Sequence, residues 1–254
     1  MGRILVTTGR GGTGKTSFAA LSVRFLAPPL LLIDIDPDQS LGEMLGIDLA
    51  REGVRTVLEV LFDIQKKRGY ENIGTMSLPE KIRYLVNSEC LYESGEFDLI
   101  SLGIKWTTGC YCVPNNLLRE IIPGLAGNYA DVVIDAPAGL EHLNRRVTSD
   151  INDLFLMMDP SLKSMNNIER VHRLTRETGI RYEKFFLVAN HRFTEDMLKH
   201  IPTGQGTYLG SIAYDRDVER YNFEGRSILD LPKDSPASVS VKEILEKAGC
   251  TLRS

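Results

Sequence analysis

The residues GRGGTGKT, Gly9 to Thr16, have the spacing G-x-x-x-x-G-K-[ST] of a phosphate-binding loop. Four of the six residues from Gly9 to Gly14 are glycine, so the backbone can turn with positive φ and come close to a ligand. Its N–H groups would then face phosphate oxygens at the positive end of the following helix. Gly11, Gly12, Thr13, Gly14, Lys15, Thr16 and Ser17 are the expected contacts to ATP or ADP. Lys15 would reach the β- and γ-phosphates as a point charge, and the Thr16 hydroxyl would ligate Mg²⁺. A ligand-free glycine-rich turn is the plain alternative.

Two acidic clusters carry the next candidates. LLLIDIDPD places Asp34, Asp36 and Asp38 after an apolar run. Three carboxylates there repel one another unless a cation or water network uses them, and Mg²⁺ takes one or two carboxylates plus phosphate oxygens and water. An acidic turn capping the next helix is the alternative. In YADVVIDAPAG, Asp135 ends a second apolar run, as a carboxylate in the Mg²⁺ shell does. His142 follows that loop, and a lone histidine is more often structural than catalytic. Asn190, ending FFLVAN, could pair with donor and acceptor atoms of an adenine edge, or could be a turn or helix-capping residue. Tyr214 and Asp215 in SIAYDRDV could close over the base from its other side.

These residues need strands and helices to position them. Apolar runs of strand length recur between helical stretches: RILVTTG, LLLIDID, FDLISLG, DVVIDAP, DLFLMMD, KFFLVAN and YLGSIAYD. Near-continuous hydrophobicity suits strands buried on both faces, and alternation with helices implies right-handed βαβ units. The expectation is an α/β, three-layer P-loop NTPase domain over residues 1–254, with a mostly parallel twisted sheet of about seven strands flanked by helices. The more polar stretch at about 47–96, with the charged cluster DIQKKRGYE, reads as a helical insertion on that domain. The 254 residues suffice for one large core, and a net charge of -4 offers no general field for nucleic acid. No apolar run approaches the ~18 residues of a membrane span. MGRILV runs straight into the first strand and reads as lacking a secretory leader. With four cysteines in this length, a reducing cytoplasm is the expected location.

GRGGTGKTS with DIDPD and DAPAG resembles the deviant Walker-A ATPases, the group of nitrogenase iron protein, the septum-site and partition ATPases and the arsenical-pump ATPases. The resemblance covers nearly the whole chain. In that family the loop reads K-G-G-x-G-K-[ST], and its first lysine reaches across a nucleotide-sandwich dimer to the partner's phosphates. Here that position is Arg10. An arginine presents a planar fork to phosphate and could act in trans, stay in cis or form a surface ion pair. The resemblance implies that Lys15 and Arg10 serve catalysis, that Asp36 positions the attacking water, and that Asp38 contacts the signature basic residue or a switch segment.

TTGCYCVPNN adds Cys110 and Cys112. In an extended segment residues i and i+2 face one side, so both thiolates can point at one ion. Two thiolates make half of a tetrahedral Zn²⁺ or square-planar Ni²⁺ site, and a two-fold axis would supply the other half. Two buried cysteines in a strand are the alternative. With AGLEHLNR, this motif resembles the CooC-type nickel-insertion ATPases that mature carbon monoxide dehydrogenase. That resemblance marks His142 as a family feature. It implies a homodimer governed by nucleotide and metal, with carbon monoxide dehydrogenase or acetyl-CoA synthase as client, and no role for nucleic acid. Cys90 and Cys250 read as structural. The competing expectations are a spatial-organising ATPase, an iron–sulfur electron-transfer ATPase, and a small-molecule kinase or synthase on the same fold. The first would want an amphipathic terminal helix or a basic patch. The second would want a cysteine in DAPAGLEHL, which has none.

Overall fold

A computed structural model describes residues 2–66, 76–103, 122–138, 150–202 and 204–253. The strands are β1 (Arg3–Gly9), β2 (Leu30–Asp34), β3 (Leu91–Glu93), β4 (Asp98–Ser101), β5 (Asp131–Asp135), β6 (Asp150–Met158), β7 (Arg181–Ala189) and β8 (Thr207–Ser211). They form one 8-stranded sheet in the order β3-β4-β2-β5-β1-β6-β7-β8. Every neighbouring pair is parallel except β3 with β4. All seven apolar runs of the sequence are strands. The eighth, β3, is a three-residue edge strand with little burial, too short and too polar to stand out in the sequence.

The helices among the described residues include α1 (Lys15–Ser22), α2 (Ser40–Met44), α3 (Val57–Gln65), α4 (Leu78–Glu89), α5 (Leu162–Thr178), α6 (Glu195–Leu198), α7 (Arg216–Glu224) and α8 (Pro236–Ala248). Side chains alternate across each strand, so one strand feeds two cores. Ile4, Val6, Ile33 and Leu156 pack with Val57, Ile82 and Ile168 of α3, α4 and α5. Leu5, Leu32, Phe155 and Met157 pack on the other face with Phe18, Val241 and Ile244 of α1 and α8. Sequestering each such side chain is worth roughly 1.5–3 kcal/mol, which is why the central strands are mainly apolar. The centre of the second core is aromatic. Phe155 lies 5.1 Å from both Phe18 and Phe186, ring centre to ring centre.

Within 47–96, α3 and α4 both start on capping boxes, Thr56 with Glu59 and Ser77 with Glu80. Each reciprocal pair satisfies donors that a helix start leaves open. The carboxyl ends of β1, β2, β5 and β6 meet at one edge of the sheet, where ligands of open α/β sheets bind.

Candidate functional site

The loop after β1 depends on glycine at its first position. Gly9 has φ 146°, and a Cβ there would lie 2.4 Å from the Met157 carbonyl oxygen on β6. Gly14, at φ 93°, is the N-cap of α1 and supplies no side-chain cap. The first N–H groups of α1 are therefore presented to whatever enters the loop, as an anion site requires. Inside the loop the Arg10 carbonyl accepts from the Thr13 hydroxyl at 2.8 Å and from Lys15 Nζ at 3.1 Å. Lys15 is buried, and burial lowers its pKa against the opposing pull of Asp135 and Asp36.

Asp135 stands at the end of β5 with no exposed surface. Its Oδ1 accepts from the Thr7 hydroxyl at 2.8 Å. Oδ2 is buried without a hydrogen-bond partner. Burial pushes this carboxyl up to about 6, against the Thr16 and Thr7 hydroxyls and the Lys15 charge, which favour the ionised form. An orphaned carboxylate oxygen beside a threonine hydroxyl and a lysine is a donor set that fits Mg²⁺ with phosphate.

Asp34 is used differently. Its two oxygens accept from the backbone N–H of Asp36 at 3.0 Å and of Leu41 at 3.1 Å, which fixes the turn into α2. Burial, reinforced by the Asp135 charge, pushes its carboxyl up to about 8. The helix-capping reading thus holds for Asp34, while Asp36 and Asp38 are left on the loop. Asp36 Oδ1 accepts from the Asp38 N–H at 3.1 Å. Gln39, next in line, is held at φ 52°, a left-handed conformation that few residues other than glycine adopt readily.

Arg10 is held in cis. Its Nη1 donates to Asp159 Oδ2 at 3.2 Å and to Ser161 Oγ at 2.9 Å. Ser161 is itself the N-cap of α5, accepting from the Ser164 N–H, and its hydroxyl donates to Asp159 Oδ1. The arginine is therefore tied to the turn between β6 and α5 by an ion pair within its own chain, one of the three alternatives for it, and its acidic partner is Asp159.

A cavity of about 310 Å³ opens beside the loop. Gly12, Thr13, Gly14 and Ser17 form one wall, and Asn190, His191, Tyr214 and Asp215 form another. The Asn190 Oδ1 accepts from the Arg192 N–H at 3.1 Å, the bond of a turn residue, while the side chain lines the cavity. Asp215 caps α7 through the Asp217 N–H and also accepts from the Ala237 N–H at 3.3 Å. Its carboxylate is consumed in holding α7 to α8, leaving it a wall residue. Tyr214 lies 5.2 Å from the His191 ring, and its hydroxyl donates to Glu219 at 3.0 Å. His191, Arg192 and Glu219 were missed in the sequence. His191 and Arg192 come directly after Asn190, and that adjacency was the available signal.

The structure brings the loop residues, Asp36, Asp135, Asn190, Tyr214 and Asp215 to one edge of the sheet. Cys110, Cys112 and His142 lie outside the described residues. Among the described residues no group of three His, Cys, Asp or Glu side chains could hold a metal ion. No helix among them is long and apolar enough to cross a membrane. Cys90 is fully buried, and burial pushes its thiol up to about 12.

No protein-family model matches the chain. The ATP-binding protein MJ0685 of Methanocaldococcus jannaschii is 32% identical over 252 residues, covering 96% of this chain and 97% of that protein. The carbon monoxide dehydrogenase accessory protein CooC of Rhodospirillum rubrum is 24% identical over 260 residues, covering 97% of this chain and 98% of that one. Among solved structures, the septum site-determining protein MinD of Pyrococcus horikoshii, complexed with Mg-ADP, shares the fold. Its TM-score is 0.66 at 20% identity, with 98% of this chain and 96% of that one covered.

Proposed function

We propose that this chain, which belongs with the ATP-binding protein MJ0685 in one family, hands nickel to carbon monoxide dehydrogenase or acetyl-CoA synthase. ATP phosphates would sit on the N–H groups of Gly11 to Ser17, with Lys15 against the β- and γ-phosphates. Mg²⁺, held by Thr16 and the Asp135 carboxylate, would supply neutralisation of the phosphate charge. Asp36 would orient the attacking water. Asn190 and the Tyr214 wall would receive the base. In a dimer closed on nucleotide, Arg10 would leave Asp159 for the partner's phosphates, and two Cys110–Cys112 pairs would meet around one ion. Loss of the γ-phosphate would relax the Asp36–Asp38 loop, open the interface and release the ion to the client. The exchange is driven by differential binding of nucleotide to two states.

One observation carries the link between nucleotide and metal. The segment that leads to Cys110 leaves β4 hydrogen-bonded to the β2 end that bears the acidic loop. Leu102 N–H donates to the Asp34 carbonyl at 2.7 Å, and the Ser101 hydroxyl donates to Gln39 Oε1 at 3.3 Å. In this reading, a change in the Asp36–Asp38 loop would be felt at the end of β4, from which the chain runs on to Cys110. Resemblance to CooC supports nickel as the cargo.

The test is metal stoichiometry on anaerobic protein loaded with Ni²⁺ or Zn²⁺, with and without a non-hydrolysable ATP analogue, alongside light-scattering mass. The expected result is about half an ion per chain on a dimer, the ratio of a four-thiolate site on a two-fold axis. It should be lost in Cys110→Ser while ATP binding persists. Full stoichiometry in the serine variant, or a metal-free monomer in every nucleotide state, would overturn the reading.

A further inference from the structure

Among the described residues, Gln39 is the only non-glycine with a positive φ, at 52° with ψ 31°. A Cβ makes that left-handed conformation unfavourable, and glycine or asparagine adopts it more readily. Glutamine is therefore not the residue that the backbone alone would select for this turn. Its side chain shows what the residue type is for, because Oε1 accepts from the Ser101 hydroxyl at 3.3 Å. Ser101 is buried and ends β4, paired in register with Asp34 of β2. The glutamine amide thus ties the loop after β2 to a fixed strand end.

That loop carries Asp36. On its entry side, the Ile35 N–H donates to the Asp135 carbonyl at 3.1 Å and the Asp36 N–H to Asp34 Oδ1 at 3.0 Å. On its exit side, the Gln39 N–H donates to the Asp36 carbonyl at 3.0 Å and closes the turn. Asp36 Oδ1 accepts from the Asp38 N–H inside the same turn, so the carboxylate moves with the turn's own backbone. The entry bonds fix where the Asp36 backbone begins, and the Gln39 amide fixes where the turn after it ends. The Asp36 charge acts on both Lys15 and Asp135, which places it at the nucleotide edge of the sheet.

We propose that Gln39 is a positioning residue for ATP hydrolysis that acts through Asp36: its amide, anchored on Ser101, holds the turn that aims the Asp36 carboxylate. The inference rests on the reading that Asp36 orients the attacking water, and it is independent of the metal cargo. The phosphate contacts of the loop after β1 are separate from this bond, so its loss belongs in turnover and not in ATP binding. Asparagine separates this role from a purely structural one. It relieves the strain at this φ, yet it is one methylene shorter and no longer meets the Ser101 hydroxyl.

The experiment is steady-state Mg-ATP hydrolysis with thermal melting on the full chain, for wild type, Gln39→Asn, Gln39→Gly, Ser101→Ala and Asp36→Asn. Expected is a kcat about tenfold lower in Gln39→Asn and Ser101→Ala, short of the ~10²-fold that a misplacement of about 1 Å costs, with KM for ATP within about twofold. Gln39→Asn should melt no lower than wild type. Gln39→Gly repeats the test with no side chain left. Combining Gln39→Asn with Ser101→Ala should be no slower than either alone, since both cut the same bond, and Gln39→Asn should add nothing to Asp36→Asn. Wild-type kcat in the Gln39 and Ser101 variants, with Asp36→Asn slow, would overturn this proposal alone. Additive losses, or losses that track the melting temperature, would make Gln39 a residue of the fold and overturn it as well. Full turnover in Asp36→Asn, or none in the wild type, would overturn the reading of Asp36 and this proposal with it.

Discussion

Removing the charge of Asp159 tests whether the anchored Arg10 is the resting form. Asp159→Asn keeps the side-chain shape, and its Oδ1 still accepts from the Ser161 hydroxyl. What it loses is the ion pair to Arg10 Nη1 at 3.2 Å. That pair is partly wet, with side chains 37% and 20% exposed, so solvent screening limits it. Pairs of this kind are worth about 0.2–1 kcal/mol, and the upper half of that range suits this one because Ser161 holds the guanidinium in place. If Arg10 must leave Asp159 before it can act in trans, weakening the anchor by about 0.5–1 kcal/mol raises turnover about two- to fivefold. The assay is ATP hydrolysis at several protein concentrations. The gain should be greatest at low concentration, where dimer is scarce. Arg10→Ala should lose the gain along with trans activation. Turnover of Asp159→Asn at or below wild type would refute the reasoning, because it would mean that Arg10 works from its anchored position.

Two further outcomes concern groups away from Arg10. Asp34 is raised from its ordinary range to about 8 by burial and the Asp135 charge. The folded form therefore keeps a proton that the unfolded chain loses above about pH 4, and its stabilising contribution fades as pH climbs toward 8, at up to about 1.4 kcal/mol per pH unit. Urea unfolding without Mg²⁺ and nucleotide should show that decline, and Asp34→Asn should flatten it between about pH 6 and 8, above the range in which Asp135 contributes a decline of the same sign; equal slopes there in both proteins would remove Asp34 as the cause. Phe155→Ala should lower the unfolding free energy by about 3–5 kcal/mol, since it empties the centre of the aromatic core between Phe18 and Phe186. A loss under ~1 kcal/mol would mean that the core collapses around the gap.

The sheet was readable because burial on both faces leaves a plain mark in sequence. Strands such as Leu30–Asp34 and Asp131–Asp135 are rich in apolar residues and then stop at a carboxylate. The alternation that separates Leu31 and Ile33 in one core from Leu30 and Leu32 in the other is invisible when all are leucine or isoleucine. It emerges only once helices lie on both sides. β3 was not readable, because an edge strand of three residues needs no apolar run. Likewise Val57 and Ile82 belong to a core that most of 47–96 conceals under polar residues.

At the site, spacing revealed what the backbone does and hid what the side chains do to one another. A phosphate loop is a local pattern, so Gly9 to Thr16 could be read from eight letters. The separate duties of Asp34 and Asp135 could not. Both end apolar strands, yet Asp34 spends its oxygens on two backbone N–H groups while Asp135 keeps Oδ2 unpaired beside Thr16. The segment after each strand makes the difference: a tight turn into α2 points N–H groups back at Asp34, and Asp135 faces the loop after β1 instead. Arg10 is the extreme case. Its partners, Asp159 and Ser161, lie about 150 positions along the chain and meet it only because β6 pairs directly with β1. No pattern within the loop could have told an arginine poised for a second chain from one already held by its own.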